Sequence, residues 1–178
     1  MVACFALFYL ATAFALGYGV TTLGYDRRTF LEVELAAIGF LALGIVLAAL
    51  LSDKTSPRRV LMGGCGLTVL VGALLAPLLG SGSLLVIWGF LSLALFVMGF
   101  VYGPLGAWLP SIFPARVRYT GASMAFNVGG ILGGALAPIL AQALADHGGL
   151  VWVGAYLAGA ATISLVALLS TRHVAPTG

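Results

Sequence analysis

Charge is what this sequence has least of. Eight Lys and Arg and five Asp and Glu make up 7% of 178 residues, where a soluble domain would spend about a quarter of its residues on charge. A water-facing surface cannot be built from so few, so an ordinary soluble domain is excluded and the outer surface must meet lipid. Cysteine is also scarce. Cys4 and Cys65 both sit in apolar runs and read as small core residues rather than a disulfide or a metal pair. His147 and His173 stand far apart, so neither a metal site nor a cofactor is expected. G-x-S-x-G, H-E-x-x-H, C-x-x-C and a phosphate-binding loop are all missing, and no enzyme activity is expected. No basic patch is interleaved with aromatics, which argues against a nucleic-acid partner. The net charge of +3 fits the positive charge that membrane proteins gather on one face.

Apolar residues fill the space that charge leaves. They are 62% of the chain, and the mean hydropathy is +1.16. Crossing about 30 Å of hydrocarbon takes roughly 20 apolar residues as a helix. Six runs qualify, near residues 2–23, 30–51, 60–79, 84–109, 121–144 and 150–170. The breaks carry turn chemistry: GYDRR, SDKTSPRR, GSGS, PSIFPARVRY and DHGG. The runs are apolar all round rather than alternating, which favours helices over a β-barrel. The expected fold is an all-α membrane protein, one six-helix domain over residues 1–178. Met1 leads directly into VACFALFYLATAF, without the basic start of a signal peptide and with too long an apolar run. A retained span that begins abruptly is expected.

Orientation follows from counting Lys and Arg in the connections. Lys54, Arg58, Arg59, Arg116, Arg118 and Arg172 lie in the second, fourth and C-terminal connections, whereas the first, third and fifth carry only Arg27 and Arg28. The first set is placed in the cytoplasm, and with it both termini. Arg116 and Arg118 then serve as orientation anchors or as something more. Glu32 and Glu34 lie near the outer end of the second span, close to Arg27 and Arg28. Interfacial ion pairing is their expected role, with proton coupling as the alternative. Asp53, beside Lys54, is expected in a structural or gating ion network.

Glycine is abundant, at 25 residues. Lipid tails do not drive helices together, so small residues that permit close approach matter. Gly99 and Gly103 in the fourth span, and Gly129, Gly130, Gly133 and Gly134 in the fifth, have that spacing. Pro104 and Pro138 are expected to kink their helices. Polar residues inside the spans are few. Tyr9 and Thr12 share a face of the first span, Tyr102 lies in the fourth, and Asn127 lies on a stripe of the fifth with Ser123 and Gln142. Counting from the ends of the runs, Tyr9, Tyr102 and Asn127 each lie about 10 Å into the membrane. One common level is expected, where two phenols and an amide bond either a small polar solute or neighbouring helices.

The stretch YGPLGAWLPSIFPARVRYTGAS, Tyr102 to Ser123, resembles the metabolite:proton symporter family of the major facilitator superfamily. MAFNVGGILGGALAP, Met124 to Pro138, continues in the same style. FYLATAFALGYGVTTLG, Phe8 to Gly24, is similar to the seventh span of that family, and LSDKTSPRRV, Leu51 to Val60, to the superfamily's second cytoplasmic loop motif. The resemblance implies helices seven to twelve of a twelve-helix carrier. It implies proton-coupled symport of a small organic acid or zwitterion by alternating access, in a bacterial inner membrane. Tyr9, Thr12, Tyr102 and Asn127 would line the solute path. Asp53, Lys54, Arg58, Arg116 and Arg118 would belong to the cytoplasmic gate loops. The implied partners are lipid, a small organic solute, a proton, and either an N-terminal six-helix half or a second copy. The alternative is a non-transporting remnant or an accessory membrane subunit.

Overall fold

Among the described residues, six helices long and apolar enough to cross a membrane follow one another through short turns: α1 (Val2–Thr21), α2 (Arg27–Lys54), α3 (Pro57–Leu79), α4 (Leu84–Ser111), α5 (Ala115–Gly148) and α6 (Leu150–Ser170). The computed structural model describes residues 1–170; Arg172 and His173 lie outside the described residues. No strand occurs among the described residues.

Several helices run past the apolar segments that announce them. Asp26 caps α2, its carboxylate accepting from the backbone N–H groups of Arg28 and Thr29 at 3.0 and 3.2 Å. Those contacts satisfy orphan donors of the first turn and start the helix before the apolar run. Ser56 does the same for α3 by accepting from the Arg59 N–H at 3.3 Å, with Pro57 at the first helical position, where its missing N–H costs nothing. The α5–α6 junction turns at Gly149, whose φ of 74° suits glycine. Hydropathy therefore marks the lipid-embedded part of each helix, while caps set where the helix starts.

Small residues bring the helices together. Along the parallel pair α2 and α4, Gly44 lies against the Phe96 carbonyl, and Gly99 against the Leu41 carbonyl. A Cβ at Gly99 would overlap that oxygen, so backbone touches backbone there. Gly72 of α3 and Gly154 of α6 face one another's carbonyls in the same manner. Gly129 and Gly133 of α5 receive Met1 and Val2 of α1. The core between these contacts is aliphatic and aromatic, with Leu7, Phe30, Leu61, Leu75, Leu91 and Leu157 fully buried.

Among the described residues, two helices contain a wide π-type turn, Leu10–Phe14 in α1 and Ile131–Ala135 in α5. Each has a local cause. The Thr12 hydroxyl donates to the Phe8 carbonyl at 2.8 Å, competing for an acceptor of the helix ladder. Pro138 offers no N–H to the Gly134 carbonyl and crowds it, and the wider turn just before it relieves that crowding. Such turns concentrate at functional positions.

Candidate solute-pathway site

Tyr102 packs against Phe126, the chain neighbour of Asn127, so the two polar residues lie at about the same level of the bundle. The Tyr102 and Phe126 rings lie 6.5 Å apart, and Phe126 meets Phe5 of α1 edge-on at 5.1 Å. Asn127 is exposed; its NH2 donates to the Ser123 carbonyl on its own helix at 2.9 Å, and among the described residues its side-chain carbonyl receives no bond. Tyr102 is 37% exposed, and its hydroxyl has no hydrogen-bond partner among the described residues. A cavity of about 390 Å³ opens here between α2, α4 and α5, with Tyr102, Tyr119, Ser123 and Phe126 in its wall. Tyr119 and Phe126 were not singled out as pathway residues from the sequence. Their signal is an aromatic residue about one helical turn to either side of Ser123, which reads equally as packing.

Tyr9 does not join that level. It is 37% exposed, like Tyr102, but its ring rests on Gly134. Positions 127 and 134 are about 10 Å apart along α5, at about 1.5 Å per residue. The cause is the register of α1 on α5. Met1 touches Gly129, about 16 Å along the axis from Arg118 at the same rise. Counting inward from each helix end assumes that all ends lie at one surface, and these do not. Thr12 lies further along α1 than Tyr9 and spends its hydroxyl on Phe8. The polar positions thus form a line running from Asn127 and Tyr102 to Tyr9 and Thr12.

A larger cavity, about 870 Å³, is bordered by Met1 at the end that carries Arg58 and Arg118. Its wall is nearly all carbon, including Leu61, Cys65, Val101 and Trp108. Ser164, also in the wall, gives its hydroxyl to the Ala160 carbonyl at 2.9 Å. Tyr156 is the other hydroxyl-bearing residue of that wall. The cavity beside Tyr102 brings three hydroxyl-bearing residues, Tyr102, Tyr119 and Ser123, into one wall.

Comparison with known proteins bears on what such a line of polar groups serves. An inner membrane metabolite transport protein of Escherichia coli K12, YhjE, is 41% identical over 183 residues, covering 97% of this chain and 41% of that protein. A putative metabolite transport protein of Haemophilus influenzae is 33% identical over 187 residues, covering 97% of this chain and 42% of its own length. This chain is a homologue of the metabolite transport proteins. The shikimate transporter of E. coli K12 is 30% identical over 168 residues, covering 90% of this chain and 37% of that protein. The chain thus spans about two fifths of the length of these relatives, and they are named as transporters rather than enzymes. No family model and no solved structure matches it.

In this transporter homologue the loop residues have distinct surroundings. Arg58 forks onto the end of α6, donating to the Leu168 carbonyl from Nε at 3.1 Å and Nη2 at 2.9 Å, and to the Leu169 carbonyl at 3.1 Å. Arg118 reaches the Phe113 carbonyl at 3.5 Å. Asp53 and Lys54 are exposed and make no ion pair among the described residues, so the ion network expected around Asp53 is not formed within them. Arg116 is likewise exposed. The two glutamates of α2 separate: Glu32 pairs with Arg28 at 3.2 Å on the surface, while Glu34 is buried.

Proposed function

We propose that this chain forms one half of a twelve-helix carrier of the major facilitator superfamily, the half equivalent to helices seven to twelve. In this reading it supplies one wall of the path for a small organic acid or zwitterion. Transport is proton-coupled symport by alternating access, in a bacterial inner membrane, with both termini on the cytoplasmic side. The homology to metabolite transport proteins supports the class. The observation that carries the reading is the exposed pair Tyr102 and Asn127, with a hydroxyl and an amide oxygen that receive no bond among the described residues, Tyr102 standing in the wall of a cavity that Tyr119 and Ser123 also line. An unsatisfied polar group facing hydrocarbon costs several kcal/mol. A water-filled path closed by a second wall, from another polypeptide or a second copy, removes that cost, and binding between two such walls is how carriers of this architecture work.

The test is uptake of labelled shikimate and labelled betaine into vesicles under an inward proton gradient, with and without a six-helix N-terminal half from a homologous carrier. Gradient-dependent uptake that requires both halves is expected. Absence of uptake with the second half present, in vesicles shown to hold both polypeptides, contradicts the reading.

A further inference from the structure

Glu34 stands apart from every other acidic residue of the chain. Asp26, Glu32, Asp53 and Asp146 are exposed, whereas Glu34 is 8% exposed and its Oε1 is buried with no hydrogen-bond partner. No ion pair or hydrogen bond reaches its carboxyl group among the described residues. It lies about 10 Å along α2 from Arg27 at the helical rise, on the buried face with Phe30 and Ala37.

Its surroundings follow from register. Gly19 of α1 seats on the Phe30 ring, and in that antiparallel pair the next turn places Ala15 at the level of Glu34. In the parallel pair, Gly44 on Phe96 brings the turn at residues 87–91 of α4 to the same level. Ala15, Ile87, Phe90 and Leu91 are buried and apolar, and Ser92, which the contact of Gly99 with Leu41 brings to this level, is a buried polar neighbour in register whose hydroxyl has no hydrogen-bond partner. None of the charged or titratable groups on the packed elements bonds the Glu34 carboxyl group among the described residues. Arg28 is taken by Glu32; Arg27 is exposed at the helix end; Tyr18 of the outer part of α1 stacks on Phe14 at 5.8 Å; Tyr25 rests on Phe30 at 6.3 Å and gives its hydroxyl to the Gly82 carbonyl. Tyr102 of α4 and Arg58, Arg59 and Cys65 of α3 lie towards the opposite end of the bundle. An ionised carboxylate without a partner in such a place is strongly disfavoured, whereas a neutral carboxyl is tolerated far better.

We propose that Glu34 is a proton-binding site of the carrier. The inference rests on the reading of the chain as part of a proton-driven carrier and names the group on this half that takes up the proton. Hydronium from the Arg28 end gives its proton to a Glu34 carboxylate oxygen, forming the O–H bond and leaving water. In the other state that O–H bond breaks, the electron pair stays on the carboxylate, and water on the opposite side takes the proton. The outer part of α1 is the cover. It packs over α2 at Gly19 and Phe30 and is joined to the rest of α1 through the wide turn Leu10–Phe14. Moving it wets Glu34 and allows the carboxylate to form.

The decisive measurement is infrared difference spectroscopy of the full chain in lipid nanodiscs, recorded in H2O and D2O as pH is stepped. A protonated-carboxyl band that shifts in D2O, disappears in Glu34→Gln and persists in Glu32→Gln is the expected result. No such band at any pH at which the helices remain intact, or a band that Glu34→Gln leaves in place, overturns the proposal. If Glu34→Gln fails to insert, Glu34→Asp serves: a displaced band supports the assignment and an unmoved one refutes it. With the second half supplied, Glu34→Gln is expected to keep exchange of labelled shikimate at equal concentrations and to lose accumulation against a gradient. Full accumulation in that variant overturns the coupling role. Absence of transport by the unaltered pair, with the infrared band present, counts against the carrier reading and leaves the proton site standing.

Discussion

Tyr102 and Asn127 hold the hydrogen-bonding capacity that a solute would use, and each can be removed with little change in shape. Tyr102→Phe deletes one hydroxyl, and Asn127→Leu deletes the amide at similar volume. A lost hydrogen bond of net worth about 0.5–1.5 kcal/mol predicts roughly 2- to 12-fold weaker apparent affinity for solute in each variant, with unchanged membrane insertion. Concentration-dependent uptake by the paired halves checks this, and wild-type affinity in both variants would assign the two side chains to helix packing. The sequence identified these residues because polar side chains are so few inside the spans. It did not reveal that Tyr9 sits on Gly134, about 10 Å beyond Asn127 along α5. That displacement belongs to the stagger of α1 against α5, which no single run records. Nor did proximity to Arg27 and Arg28 distinguish Glu32 from Glu34. Two positions apart on a helix point to different sides, and only the neighbouring helices decide which side is buried.

Helix contacts show how far a pattern of small residues can be read. The G-x-x-x-G spacing of Gly99 and Gly103 marks a close approach without naming its partner. The structure supplies it: Gly99 lies on the Leu41 carbonyl and Gly103 on that of Ile45. Gly99→Leu is expected to destabilise the bundle by about 1–3 kcal/mol or more, the usual range for forcing bulk into a close contact. Gly89→Ala on the same helix meets nothing within 4 Å. It is expected to be neutral or stabilising, by up to about 1 kcal/mol from helix propensity. Unfolding titrations in mixed detergent micelles measure both, and equal stabilities for the two variants would contradict the backbone contact at Gly99. The wide turn in α5 was half legible: Pro138 announced a distortion, but placing it at Ile131–Ala135 required knowing that the helix continues on both sides. Thr12 gave no comparable sign, because a threonine that bonds back to its own helix and one that points at a solute look alike in sequence.

At the scale of the whole molecule, scarcity of charge and the lengths of six apolar runs were enough to give the class and the number of helices. Their exact ends were not legible, since capping by Asp26 and Ser56 extends helices into polar segments. The molecule exposes a line of polar positions on α1, α4 and α5 and spans about two fifths of the length of its transporter relatives. The central claim is that this line faces water and a second wall rather than lipid. Solvent access to position 127 tests it most directly. Asn127→Cys in a background of Cys4→Ala and Cys65→Ala, assembled with the second half in vesicles, is exposed to a charged, membrane-impermeant maleimide from each side. Labelling from the aqueous phase, slowed by saturating solute, is the predicted result. Reaction only with a lipid-soluble maleimide, at a rate unaffected by solute, would place Asn127 against acyl chains and contradict the account.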